Sequence, residues 1–463
     1  MGHYRCAGMH ALLRRRAVLA LTLCCGGALS SATPIGAAAT PDLPAPAGSA
    51  ASPARMAAAA SALSGGVNIP GLGDSSNLQE ADHAIAYARD LHVAVVRADV
   101  PWAAMEPESP TAINARALAF TDRLVADAAA AHIRLVMTVA ATPCWASAAP
   151  AELLRRCVPG HRGSANTWPP RAASDYAAFV AYLAARYGAS VAAIEVWNEP
   201  DQANEAYFGG TEKAREYARV LRAAYPAIKA ANPGVAVLAG SLVGSNGVFL
   251  RALYAAGIKG YYDDLSVHFY NLTLASLRSI HEVQLSAGDP KPLWLDEFGW
   301  TSCWPRRRIE QEQGCVTARV QARNLADTLL TLSRTPFVAA AVVYKLQDSP
   351  SEDFGLIDAA GAHKLAFGAV VRVLSRPAGS ASGVTLALRS RGAGVLASGS
   401  GPVGDYMVLE AFRGSLLRYR ALFTLDRFNR FSLALPAALG RHGLRVRVYQ
   451  YWTGTGRGAQ KGI

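Results

Sequence analysis

Two short stretches of the chain place acids where apolar runs end. Ala192 to Gln202 reads AAIEVWNEPDQ, and Leu293 to Trp300 reads LWLDEFGW. In the first, Trp197, Asn198 and Glu199 arrive together and Pro200 stops the run. In the second, Glu297 follows Asp296 directly. A strand that only has to fold has no use for a charge at its mouth. Two carboxyl groups flanking a small space are what glycosidic-bond cleavage requires. One protonates the departing oxygen while the other attacks the anomeric carbon, and a separation of about 5–5.5 Å implies retention of configuration. The acid of such a pair would keep its proton at neutral pH through a partly desolvated seat and the nearness of the other carboxylate. Pro200 would turn the chain away and set where the Glu199 side chain points. For Glu195 and Asp296 the structural reading is preferred: acids at strand ends, paired or solvated.

Such a pair has to be positioned by a scaffold, and the hydrophobic pattern supplies one. Strand candidates are 66–69, 93–97, 134–139, 192–197, 235–239, 265–269, 293–296 and 338–344. Helical spacing fills segments such as 78–91, 115–131, 172–187, 212–231, 316–333 and 364–374. About eight strand-then-helix repeats over roughly 310 residues are the size and rhythm of a (β/α)8 barrel. An open doubly wound sheet would want a G-x-G-x-x-G turn after an early strand, and GVNIPGLGD lacks that spacing. Barrels carry their chemistry at the C-terminal ends of strands. Those ends present Asn68, Arg97, Trp145, Asn198 with Glu199, His268 with Tyr270, Glu297 with Phe298 and Gly299, and Tyr344. Taken singly, His268 reads as a core histidine and Arg97 as an ion-pair partner. The tryptophans at 102, 145, 168 and 294 divide between core and cleft, with most in the core. From about Arg376 the pattern turns to strands alone, at 384–388, 406–412, 416–423, 430–435 and 444–452, as in a small β-sandwich.

The two stretches, EVWNEPD on a fourth strand and LWLDEFGW on a seventh, resemble the signature of the clan A retaining glycoside hydrolases. Within that clan, VVYKLQDSPSEDFGLIDAAGAHKLAF from Val342 to Phe367 is similar to the last strand and loop of glycoside hydrolase family 39, in particular its bacterial exopolysaccharide-associated members. The resemblance covers about Gly65 to Leu374. It implies an acid/base role for Glu199 and a nucleophile role for Glu297. It places Asn198 on the hydroxyl beside the reacting carbon and Arg97 beneath the nucleophile, where a cation favours the charged carboxylate. Tyr270 would hydrogen-bond Glu297, His268 would line the mouth, and Trp145, Trp300 and Tyr344 would offer faces to sugar rings. The eighth strand carries Tyr344 where most clan members have tryptophan.

The chain has 463 residues, 51% of them hydrophobic and 17% charged, so a large core is available. Its net charge of +12 shows no lysine-rich run or aromatic-interleaved basic stripe, so nucleic acid is not an expected partner. Arg14, Arg15 and Arg16 precede an apolar run at 17–23, and Ala37-Ala38-Ala39 follows. We read residues 1–39 as an export signal and 40–64 as a flexible Ala/Pro/Ser linker. The run is too short for an ordinary transmembrane helix, so membrane association is expected only through the signal, with a retained anchor as the rival reading. Residues 65–375 would form the barrel, 376–455 the β-sandwich and 456–463 a frayed tail.

Beyond the export segment four cysteines remain, Cys144 with Cys157 and Cys303 with Cys315. They form an even set suited to disulfides in an oxidising compartment, and they lack the C-x-x-C spacing of a metal site. An arginine cluster at Pro305 to Arg308 beside Cys303 leaves an acidic sugar open. No metal or organic cofactor is indicated. The expected protein is a monomeric, exported glycosidase on an oligo- or polysaccharide, endo-acting on an exopolysaccharide. A non-catalytic carbohydrate-binding or biosynthesis scaffold and a transglycosylase remain as alternatives.

Overall fold

The structure, a computed structural model, describes residues 63–71, 77–270, 274–303, 315–375, 384–392, 394–401, 406–425, 430–450 and 458–463. The expected export signal, nearly all of the linker, the Pro305–Arg308 cluster and residues 451–457 lie outside this set.

Eight parallel strands close into a barrel in sequence order. They are β1 (Ser64–Ile69), β2 (Val95–Pro101), β3 (Arg134–Ala140), β4 (Val191–Val196), β5 (Ala236–Leu242), β6 (Asp264–His268), β7 (Leu293–Phe298) and β8 (Val338–Val343). The alternating helices are α1 (Leu78–Asp90), α2 (Ala115–Ala130), α3 (Ala173–Tyr187), α4 (Lys213–Ala231), α5 (Val248–Ala255), α6 (Leu274–Ser286), α7 (Ala318–Leu332) and α8 (Leu365–Leu374). Side-chain caps start three of them: Asn77 on α1, Asn114 on α2 and Thr317 on α7 each accept from a first-turn amide. The short apolar patterns of α5 and α6 escaped the reading of periodicity, and Ser64, assigned to the linker, opens β1.

Alternate residues of each strand face opposite ways, which divides the core. One set, including Val67, Val96, Leu135, Ile194, Leu265 and Leu295, packs outward against the helices. The other set, including Val95, Val136, Ala193, Leu238, Trp294 and Val342, forms a separate cluster that plugs the barrel. Two residues further along the same face sit Arg97, Thr138, Glu195 and Asp296, all nearly or fully buried. The barrel is therefore apolar inside until its last layer, where polar groups take over directly under the mouth.

Among the described residues, the C-terminal region holds seven antiparallel strands. One sheet orders β13 (Arg430–Ala434), β10 (Gly394–Ser400) and β9 (Thr385–Arg391); the other orders β12 (Leu416–Thr424), β11 (Tyr406–Arg413), β14 (Leu444–Gln450) and β15 (Ala459–Gly462). Leu386, Val395, Met407, Leu409, Phe431 and Val446, drawn from both sheets, share one core. Two strands went unrecognised. The Gly- and Ser-rich β10 has weak strand propensity and is held by ladders on both sides. The tail expected to fray forms β15, because the unpaired edge of β14 accepts it through Arg445↔Gly462 to Val448↔Ala459.

Candidate active site

The acids reach the mouth by two different backbone devices. After β4 the chain enters the left-handed region at Trp197 (φ 73°) and again at Glu199 (φ 48°), conformations that cost a non-glycine residue about 1–3 kcal/mol each. Three contacts hold the turn. Trp197 is buried and its Nε1 donates to Tyr207 O at 2.8 Å. Asp201 accepts from the amides of Val243 and Gly244 beyond β5, at 3.0 and 2.8 Å. On the other side, β7 pairs with β6 through an irregularity between Val267 and His268 that sets His268 opposite Glu297. Such a bulge re-aims a side chain without ending the strand.

A carboxylate oxygen of Glu199, one of Glu297 and a ring nitrogen of His268 consequently lie within 4.8 Å of one another. Glu297 Oε1 accepts from Arg97 Nη1 at 2.6 Å and Asn68 Nδ2 at 3.2 Å, while its Oε2 accepts from Tyr270 Oη at 2.6 Å. Arg97 Nη2 donates to Asn198 Oδ1 at 2.7 Å. Arg97 itself is 3% exposed and touches three acids: Glu195 at 2.7 Å, Asp296 at 3.2 Å and Glu297 at 2.6 Å. Glu195 also accepts from Thr138 and Ser266, so it is paired rather than solvated. Burial works against the Arg97 cation, but these carboxylates hold it protonated far above its ordinary range. Burial and Glu195 push the Asp296 carboxyl well up. Its partner Glu195 is held well down, with Arg97 and the Asp296 contact outweighing burial. One charge on two buried carboxyls is what low polarity favours.

The expectation of a raised pKa at Glu199 is not met. Burial pushes it up, but the hydrogen bond and charge of His268, the Gln202 bond and Arg97 leave it below the ordinary carboxyl value. His268 is driven the other way: burial opposes its charge, and Glu297, Asp296 and Glu199 raise it well above the usual imidazole range. Glu199, His268 and Glu297 also form, among the described residues, a set that could offer one donor each to a metal ion.

A cleft of about 860 Å³ opens over this layer, lined by Arg97, Asn198, Glu199, Glu297 and Tyr344. Tyr270 stands edge-on to Tyr344 and Phe354. Two of the expected sugar platforms are elsewhere. Trp300 is 4% exposed and packs edge-on against Phe298, so it belongs to the core. Trp145 is absent from the cleft wall; it packs edge-on to Trp102 and donates to Glu106 O. The open aromatic face belongs instead to Tyr207, 41% exposed and part of the cleft wall, on a loop whose sequence carries no periodic signal. Asp99 and Arg162, which face each other at 3.8 Å, also line the cleft and went unrecognised. Asp99 was within reach of the sequence, since it shares the strand face of Arg97 two residues on.

Both cysteine pairs are disulfide-bonded, Cys144–Cys157 and Cys303–Cys315. The first closes the loop after β3, which supplies Arg162 and Asn166 to the cleft. Asn166 ties that loop down by donating to Thr142 O and accepting from Gly163 N.

Residues 165–358, from this loop to the one after β8, match the family model described as glycosyl hydrolase catalytic core. No curated protein matches the chain. Among solved structures, a family 39 glycoside hydrolase from Bacteroides cellulosilyticus WH2 is similar at 18% identity and a TM-score of 0.52, over 82% of this chain and 80% of that one. A family 39 enzyme from Xanthomonas axonopodis pv. citri aligns at 13% identity and a TM-score of 0.51, over 81% and 91%. A family 39 β-xylosidase from Caulobacter crescentus aligns at 17% identity and a TM-score of 0.51, over 75% and 82%. Residues 165–358 of this chain thus match a glycosyl hydrolase catalytic core, and the barrel that holds them shares its fold with family 39 glycoside hydrolases.

Proposed function

We propose that the protein is an exported retaining glycosidase that cleaves a polysaccharide by double displacement. Glu297 attacks the anomeric carbon, and Glu199 protonates the departing oxygen and then activates water. The observation that carries this reading is the approach of the two carboxyl groups to within 4.8 Å across the mouth of a barrel that matches a glycosyl hydrolase core. That spacing leaves no room for a water between Glu297 and the anomeric carbon and suits direct attack by the carboxylate. Arg97, Asn68 and Tyr270 hold Glu297 from three sides, as a nucleophile that must keep one orientation requires. The open 860 Å³ cleft favours a chain over a single sugar, and we assign the substrate as a bacterial exopolysaccharide. Similar structures include an enzyme described as a β-xylosidase, which makes β-linked pentoses and hexoses the first sugars to try. The arginines at the N-terminus and the even cysteine set support export to a periplasm or beyond.

The test uses 2-deoxy-2-fluoro glycosides with good leaving groups, in a panel of sugars. A covalent glycosyl adduct on a peptide containing Glu297 is expected by mass spectrometry, together with loss of turnover in Glu297→Gln. Parental cleavage by Glu297→Gln would overturn the assignment.

A further inference from the structure

A general acid must hold a proton when the glycosidic oxygen arrives, yet the contacts of Glu199 favour its anion. Its Oε2 accepts from Gln202 Nε2 at 3.0 Å, and its Oε1 lies 2.9 Å from Nδ1 of His268. The proton missing from the carboxyl has an evident home in that imidazole. The His268 side chain has no solvent exposure. Glu199 faces it from the loop after β4, and Glu297 and Asp296, both at 3.5 Å, face it from β7. Glu195 of β4 adds its charge from deeper in the barrel, and Tyr270, two residues along from His268, is bonded to Glu297. The cation of this layer, Arg97, makes its contacts with Glu195, Asp296, Glu297 and Asn198 and not with Glu199. Several carboxyl groups thus converge on one ring that can take a proton.

We propose that His268 stores the proton that Glu199 delivers, the two side chains sharing a single proton across their 2.9 Å contact. The proposal rests on the glycosidase reading of the site. In the resting state the proton is on Nδ1 and Glu199 is a carboxylate. Seating the glycosidic oxygen against Glu199 displaces water and gives the proton a new acceptor. The Nδ1–H bond breaks, the carboxyl O–H forms, and that proton passes to the departing oxygen as the C–O bond breaks and Glu297 bonds to the anomeric carbon. His268 is left neutral and Glu199 anionic. In the second half Glu199 takes a proton from the attacking water and returns it to Nδ1, while the ester to Glu297 breaks and its carboxylate is restored. Charge and protons balance over the cycle.

His268 and Asp296 act through Glu199 and are positioning residues. Asp296 is fully buried, and neither of its oxygens has an aligned hydrogen bond; the same is true of His268 Nε2, which it faces at 3.5 Å. Besides its contacts with Arg97 and Glu195, this acid faces the ring from the side opposite Glu199. The alkaline limb of the activity profile then reports an imidazolium and not a carboxylic acid.

The first experiment is nitrogen NMR of the full chain labelled at histidine, without substrate. The His268 signal is identified among the ten histidines as the one lost in His268→Gln, or in His268→Asn should the first variant fail to fold. It is expected to stay cationic above the ordinary imidazole value of 6.5. In Glu199→Gln, which cannot take the negative charge, its ionisation should move to lower pH. A neutral His268 throughout pH 5 to 8 in the parent, or a titration that Glu199→Gln leaves unmoved, overturns the proposal.

The second experiment is kinetic. In His268→Gln, kcat/KM for phenyl glycosides should fall about 100-fold with its alkaline limb displaced to lower pH. For dinitrophenyl glycosides, whose leaving group departs without a proton, most of the rate should remain. A purely structural role would lower both alike. The NMR result does not depend on turnover, whereas failure of the glycosidase reading itself would show as no adduct on Glu297 and no cleavage.

Discussion

Arg97 is the residue on which the buried layer turns. A guanidinium with 3% exposure costs several kcal/mol to desolvate, and only the carboxylates around it offset that. Its planar fork reaches Glu195 through Nε, Glu297 through Nη1 and Asn198 through Nη2, which an ammonium could not imitate. Removing it would leave Glu195, Asp296 and Glu297 facing one another with little compensation. Arg97→Ala is therefore expected to cost about 3–5 kcal/mol of stability, read as a lowered midpoint in denaturant, and to abolish turnover. A variant that melts like the parent would show that the layer is held by other contacts. This link was only half visible in the sequence: Arg97, Glu199 and Glu297 stood out by type and strand position, but Thr138 and Ser266, which bond Glu195 beneath them, are ordinary polar residues until the barrel closes.

Among the elements, α7 carries an acid that the fold makes sensitive to pH. Asp327 is 18% exposed, and burial raises its pKa from 3.8 to about 6 against the pull of Arg323 at 3.4 Å. The unfolded chain releases this proton near 4 and the folded chain near 6. Between those values the folded state binds more protons, so stability falls as pH rises from about 4 to 6 and stays lower above that window. Asp327→Asn should remove the loss. Relative to the parent, its stability is expected to be higher at pH 7, by an amount on the order of 3 kcal/mol read from the denaturant midpoint, with no such gain at pH 4. Equal differences at both pH values would mean that packing, not ionisation, sets the effect. At this scale the alternation of strands and helices was legible because one period serves each element. The bulge in β6–β7 and the paired tail strand β15 were not, since both depend on a neighbouring strand that is distant or edge-exposed.

For the molecule as a whole, the two disulfides bind its compartment to its cleft. They span sequence separations of 13 and 12 residues, and a loop of that length is worth roughly 3 kcal/mol when cross-linked. Protein collected from an oxidising compartment should show no reactive thiol at Cys144, Cys157, Cys303 or Cys315. The double variant Cys144→Ser with Cys157→Ser is expected to unfold earlier in denaturant. It should also raise KM more than it lowers kcat, because the loop it frees leads directly into Arg162 and Asn166 of the cleft wall and carries neither Glu199 nor Glu297. A fall in kcat with KM unchanged would contradict that division.

By itself the sequence determined the barrel, the paired acids at strands four and seven, and the cysteine pairing, because each of these follows from local period, residue type or even number. Tertiary structure alone decided which aromatic rings face the sugar, placing Trp300 in the core and Tyr207 in the cleft, since burial belongs to the assembled layers and not to the residue. It decided the direction in which the proton affinity of Glu199 moves for the same reason. A carboxyl takes its proton affinity from what stands within a few ångströms, and His268, sixty-nine positions away in the chain, is brought to 2.9 Å only by closure of the barrel.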